Sequence, residues 1–269
     1  MAREEPLLTA VILAGHSAQE EDPLAAYSLG RPKGLIPIAG RPMIAYVVEA
    51  LVGSRYVGPI IIVGLPAEER LPLPGIVHHL LSHGNILDNA EAGICYAFAQ
   101  TPRPTGVLIC SADLPLLTPA VVDQFVEECL NTSHDLYYSI VERSVMESRF
   151  PTSRRTYVRL VEGEFAGGDL LLVRAEAATA NRELWQRLAS ARKSPIQQAR
   201  MLGGLSPLIR FLARRMSLTE VEQRASRALR IRGRAVICPC PEVGMDVDKP
   251  FQLEIASAEL EARSGGPAS

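Results

Sequence analysis

The chain has 269 residues, of which 47% are hydrophobic and 22% charged, and its formal net charge is -2. That length allows one large domain or two small ones with a proper core, and the near-neutral balance argues against a protein that coats nucleic acid. Five cysteines without a CxxC pair, no secretory leader and no apolar run long enough to span a bilayer predict a reduced, cytoplasmic protein.

In chain order, Thr9-Ala-Val-Ile-Leu-Ala-Gly15 is continuously apolar or small and then turns at glycine. Such a run predicts a strand buried on both faces. The long loop that follows, with Gly30, Pro32, Lys33 and Gly34, lies past the carboxyl end of a first strand, where open α/β sheets bind ligands. Pro42 to Val52 predicts a helix with proline in its first turn. Pro59 to Val63 and Ile76 to Leu81 read as strands. Asn85 to Gln100 reads as a helix with Ile86, Ala90, Gly93 and Ala97 on one face. Gly106 to Cys110 is another apolar strand, running into Ser111-Ala-Asp-Leu-Pro115. Thr118 and Pro119 suit the N-cap and first turn of a helix to Leu130. This alternation predicts an α/β fold with a mostly parallel sheet and helices on both faces.

The second half changes character. Leu136 to Val141 and Tyr157 to Val161 read as strands, and Gly167-Gly168-Asp169 as a loop leading into the strand Leu170 to Val173. Residues 175–230 are patterned as a helical insertion, with a capping box at Ser217-Leu-Thr-Glu220. Ala235 to Cys238 returns to a strand. Gly244 to Pro250 is a loop into a last helix, Phe251 to Arg263, before a polar tail. With no internal repeat and no low-complexity linker, one domain over residues 1–256 is expected, followed by a helix end and a disordered tail over 257–269.

Several residues suit chemistry. Asp113 follows a buried strand, so it either satisfies turn N–H groups or binds Mg²⁺ beside a phosphate. Asp248 either caps the last helix or joins Asp246 on one face of an extended Asp-Val-Asp segment to hold a metal. Gly15, Gly30 and Lys33 suit a phosphate cradle, because backbone N–H groups and a compact ammonium both meet phosphate oxygens. Only Lys33, Lys193 and Lys249 among 28 basic residues are lysines, and two of them stand in suspected loops. His79 and His83 have helical i, i+4 spacing but no accompanying metal motif, and Cys238-Pro-Cys240 reads as two semi-buried thiols.

Five segments occur in a telling order: Val11 to Gly15, Arg31 to Met43, Ser111 to Pro115, Gly167 to Asp169 and Val247 to Leu253. Together they resemble the MobA-like NTP transferases, which share the nucleotide-diphospho-sugar transferase fold with its Rossmann-like mixed sheet. The resemblance implies that Leu13, Ala14, Gly15, Arg31, Lys33 and Asp113 bind the nucleotide and that Asn89 borders its base. It further implies that Gly167, Gly168 and Asp169 face the acceptor, that Asp113 and Asp248 hold Mg²⁺ or Mn²⁺, and that Lys33, Asp113 and Asp248 carry catalysis. His16 replaces the family's second glycine, no arginine follows closely, and the acidic run Gln19 to Asp22 lies in the loop, with Arg31 as the substitute arginine. The expected activity is nucleotidyl transfer from an NTP to a small phosphorylated acceptor with release of pyrophosphate. The alternatives on this fold are a nucleotide-binding protein without turnover and a metal-dependent glycosyltransferase. Neither a membrane nor nucleic acid is expected as a partner, and the sequence is silent on oligomeric state.

Overall fold

The computed structural model describes residues 8–15, 23–69, 71–175 and 216–265. Strand β1 (Leu8–Leu13) is followed by a helical turn α1 (Ala25–Ser28), a 3-10 turn at Lys33–Leu35, and a two-stranded hairpin of β2 (Pro37–Ile38) and β3 (Arg41–Pro42). Helix α2 (Met43–Gly53), β4 (Val57–Val63), β5 (Val77–Leu80), α3 (Ile86–Ala99), β6 (Gly106–Ser111) and α4 (Pro119–Leu130) continue the alternation. Then come β7 (Leu136–Glu142), α5 (Arg143–Arg149), β8 (Val158–Arg159), β9 (Glu164–Arg174), α6 (Leu218–Leu229), β10 (Gly233–Ile237) and α7 (Pro250–Gly265).

The main sheet has eight strands in the order β10-β7-β9-β6-β1-β4-β5, with β8 paired to β9. β6, β1, β4 and β5 are mutually parallel, as are β7 and β10, while β9 runs antiparallel to both of its neighbours β6 and β7. The sheet is therefore mixed and mostly parallel. Its apolar strands are continuous because both faces are covered, and successive residues serve opposite faces. Ala10, Ile12, Ile60, Ile62, Leu108 and Cys110 pack with α2 and α4. Val11, Ile61, Val63, Val107 and Ile109 pack with Ile94 and Ala97 of α3. Phe125 of α4 is 2% exposed, and burying one such ring contributes roughly 1.5–3 kcal/mol.

The caps explain the helix boundaries. The Asn85 side chain accepts from the N–H groups of Leu87 and Asp88, and that of Thr118 accepts from Val121. Ser217 and Glu220 complete the capping box of α6.

Several expectations need correction. Gly167-Gly168-Asp169 is not a loop but part of β9, where the pairing with β7 shifts between Tyr138 and Ile140. The Ser139 hydroxyl donates to Leu170 O and accepts from Leu170 N, bridging that bulge, and glycines in a strand commonly mark one. Pro42 precedes the first turn of α2 instead of lying in it. Ile86 is exposed, because the buried face of α3 is Asn89, Ala90, Gly93, Ile94 and Ala97. The strand expected over Tyr157 to Val161 shortens to two residues, and α5 occupies a stretch for which the pattern predicts no helix. Most of the expected insertion, residues 176–215, lies outside the described residues, as does the acidic run of the first loop.

Gly93 shows how tightly α3 lies on the sheet. A Cβ there would stand 2.5 Å from a Val11 methyl and 3.2 Å from a Val63 methyl, both fully buried. Gly93→Val should lower unfolding stability by about 1–3 kcal/mol through overpacking, measured by urea denaturation. An unchanged midpoint would mean that α3 can lift from the sheet without cost.

Candidate active site

The site forms at the carboxyl edge of the parallel strands. Leu13, at the end of β1, pairs with Ser111 on one side and Val63 on the other, so the turns at Gly15, Asp113 and Gly64 emerge side by side. Gly64 has φ +107°, and a Cβ on it would lie 2.5 Å from Gly15 Cα, so only glycine allows the two turns to touch. Because β9 is antiparallel and pairs Leu170 with Cys110, it delivers Asp169 to this same edge.

Two local contacts bring in the remaining residues. A Cβ on Gly34 would stand 2.8 Å from the Ala112 side chain, so its absence lets the 3-10 turn press against Ala112 and puts Lys33 beside Asp113. The N–H of Val247 donates to Asp113 O at 3.0 Å. That bond docks the extended Asp246-Val247-Asp248 segment with Val247 fully buried and the aspartates on the other face.

The result is a small lattice of charge. The Lys33 ammonium contacts one oxygen of Asp113 and one of Asp248. Two carboxylates sharing one donor atom lie within about 6 Å of each other, twice a hydrogen-bond length. Asp248 is therefore engaged with Lys33, while Gln252 in the first turn of α7 reaches back to accept from Asp248 N at 2.9 Å. On the other flank Arg155, from the loop between α5 and β8, pairs with Asp246. Its Nη2 also reaches Gly167 O at 3.5 Å, and its Nε is buried with no hydrogen-bond partner. Asp113 is 5% exposed, and its second oxygen, Oδ1, is likewise buried without a partner.

The electrostatics follow from four carboxylates facing two cations. Burial pushes Asp169 up to about 7, with the Asp113 charge adding to it and Arg155 opposing. Burial also pushes Asp246 up to about 8, helped by Asp169 and by a hydrogen bond to Asp248. Asp248 stays low despite burial, because it accepts that bond from Asp246 and faces Lys33. Lys33 is partly desolvated, yet the charges of Asp113 and Asp248 hold its ammonium above the ordinary lysine range. Tyr138 borders this flank; its hydroxyl occupies space that a Gly167 side chain would need, so Gly167 gives it room.

The remaining expected residues are placed as follows. Leu13 lies in the sheet, and Ala14 N donates to Val63 O at 2.8 Å, while Gly15 is exposed at the edge. Arg31 is held by Glu69 through two bonds of 2.8 and 2.6 Å and does not join Lys33 at the carboxylates. Asn89 is 3% exposed and accepts from His83 N at 2.6 Å. Its amide nitrogen stands 2.6 Å from where a Gly15 Cβ would be, so Asn89 backs the glycine turn. His79 is in β5 and His83 beyond it, so the pair has no helical geometry. Among the described residues no three His, Cys, Asp or Glu side chains form a metal-ligand group by themselves. Arg155 carries no sequence signal; it is one arginine among many, outside every motif.

The raised carboxyls set a pH dependence. A group whose folded pKa is raised stabilises the fold below its unfolded value, near 3.8, and loses that contribution as pH rises through its folded value. In metal-free buffer the protein should therefore lose stability as pH rises from about 4 to the folded values of about 7 and about 8, levelling off above them, and Asp246→Asn should flatten that fall. Unfolding across this range checks it; an identical slope in the variant would contradict it.

Comparisons with known proteins bear on the family and the fold. The MobA-like NTP transferase domain matches residues 10–217. A solved structure described as a hypothetical transferase from Thermus thermophilus is 34% identical, with TM-score 0.79 over 93% of this chain and 100% of that one. A CMP:2-keto-3-deoxy-manno-octonic acid synthetase complexed with CTP shares the fold at 15% identity and TM-score 0.59, over 95% and 99% of the two chains. The 2-C-methyl-D-erythritol 4-phosphate cytidylyltransferase of Thermus thermophilus does so at 12% and 0.52, over 94% and 98%. No curated protein sequence matches significantly. With a domain match over most of its length, the chain belongs to the MobA-like NTP transferase family.

Proposed function

We propose that the protein transfers a nucleotidyl group from an NTP to a small phosphorylated acceptor, releasing pyrophosphate, with Mg²⁺ or Mn²⁺ as cofactor. The observation that carries this reading is the meeting of Asp113 and Asp248, far apart in sequence, at the Lys33 ammonium beside the glycine turn. Two carboxylates and an ammonium next to an exposed glycine suit a reaction whose catalysis is mainly positioning and charge neutralisation.

The donor set fits the metal. Mg²⁺ favours oxygen ligands and takes one or two carboxylates together with phosphate oxygens. The buried, unpartnered Oδ1 of Asp113 is such an oxygen, and Asp248 supplies a second carboxylate. When bound, the ion would neutralise phosphate oxygens of the nucleotide. The chain itself would do the rest. Lys33 stabilises the outer phosphates as they leave with the bridging oxygen. Gly15 allows close approach of the triphosphate, and Asn89 holds that turn and the His83 backbone against the base. Gly167, Gly168 and Asp169 line the acceptor side, where Arg155 offsets part of the carboxylate charge. The acceptor oxygen attacks the α-phosphorus, a bond forms there, and the bond to pyrophosphate breaks.

Pyrophosphate release, measured for each NTP with a panel of phosphorylated acceptors, tests the reading. Release should require Mg²⁺ or Mn²⁺, stop in EDTA, and fall at least about a hundredfold in Asp113→Asn, as for loss of a group that stabilises developing charge. Binding of nucleotide without pyrophosphate from any pair would favour a binding protein. Turnover of a nucleotide sugar without pyrophosphate would favour a glycosyltransferase.

A further inference from the structure

We propose that Lys33 and the divalent cation are alternative occupants of one carboxylate pair. In the ligand-free protein the ammonium sits between Asp113 and Asp248, and it moves to the outer phosphates when the cation enters. The proposal rests on the nucleotidyl-transfer reading of this site and adds an exchange of cations to it.

The contacts carry the argument. Lys33 touches both carboxylates at once, and its side chain is 25% exposed while that of Asp113 is 7% exposed. An ammonium has three N–H donors, so two are committed here and one remains. That is too few to hold both carboxylates and the oxygens of a triphosphate. The Asp113 Oδ1 is left buried and unpartnered, so the ammonium satisfies the pair only in part. A divalent ion with several oxygen ligands would use that oxygen as well. Two other cations near this edge are committed elsewhere, Arg31 to Glu69 and Arg155 to Asp246. Lys33 is thus the cation that balances the pair before metal binds, and Gly34 keeps its turn close enough to do so.

Removing the ammonium should open the pair to free metal. Mn²⁺ binding, followed by electron paramagnetic resonance without nucleotide, should be about tenfold or more tighter in Lys33→Met than in wild type, because a competing buried charge is gone. Equal or weaker binding in Lys33→Met, with Asp113→Asn still abolishing binding, would overturn the exchange and leave the metal site standing. No Mn²⁺ binding to either protein at millimolar concentration would overturn both readings. Should Lys33→Met fail to fold, wild-type protein with ¹⁵N-labelled lysine side chains gives an independent test. With only three lysines, the Lys33 resonance can be assigned through Lys33→Arg. It should move along a Mg²⁺ titration with the midpoint of metal binding, and a resonance unmoved at saturation would overturn the proposal.

Discussion

The ammonium of Lys33 between the carboxylates of Asp113 and Asp248 is the interaction on which the rest of the site depends. Bringing two carboxylates together in a partly buried edge costs energy unless a cation lies between them. The surrounding chain is shaped to permit that contact. Gly34 has no side chain where Ala112 must pass, Gly64 has none where Gly15 must pass, and Val247 ties its two flanking aspartates to the backbone of Asp113. Each of these is a backbone approach, which is why the geometry can persist when side chains move.

The mixed topology explains how a second charged flank arises. The parallel strands present the turns that follow their carboxyl ends at this edge. The antiparallel β9 brings Asp169 from the opposite direction, and its bulge lets Gly167 accept Arg155 and leave room for Tyr138. The aspartates on this flank are held near neutral pH values by burial and by one another, while Asp248 stays ionised beside Lys33. Neighbouring carboxyl groups pushed apart in this way are a common mark of functional sites.

Much of this was legible in the sequence, for physical reasons. Continuous apolar runs identify the strands because the sheet is covered on both faces, and Asn85, Thr118 and Ser217 mark helix starts because their side chains replace missing backbone partners. Asp113 and Lys33 stand out because they follow buried strands or glycines. The misplacement of Gly167 to Asp169 has an equally plain cause: glycines suggest a turn locally, and only the pairing of β7 with β9 shows that they form a bulge inside a strand. Arg155 was invisible because its role comes from a long-range approach to Asp246. The engagement of Arg31 with Glu69 was hidden likewise, since nothing near Arg31 in sequence names its partner.

On the reading proposed here, Asp113 and Asp248 form one cation site. Anomalous diffraction from crystals grown with Mn²⁺ and a non-hydrolysable NTP analogue tests it most directly. A single strong peak coordinated by both carboxylates is expected, with the Lys33 ammonium displaced onto the outer phosphates. A metal bound away from this pair, or nucleotide bound with Lys33 still bridging Asp113 and Asp248, would contradict it.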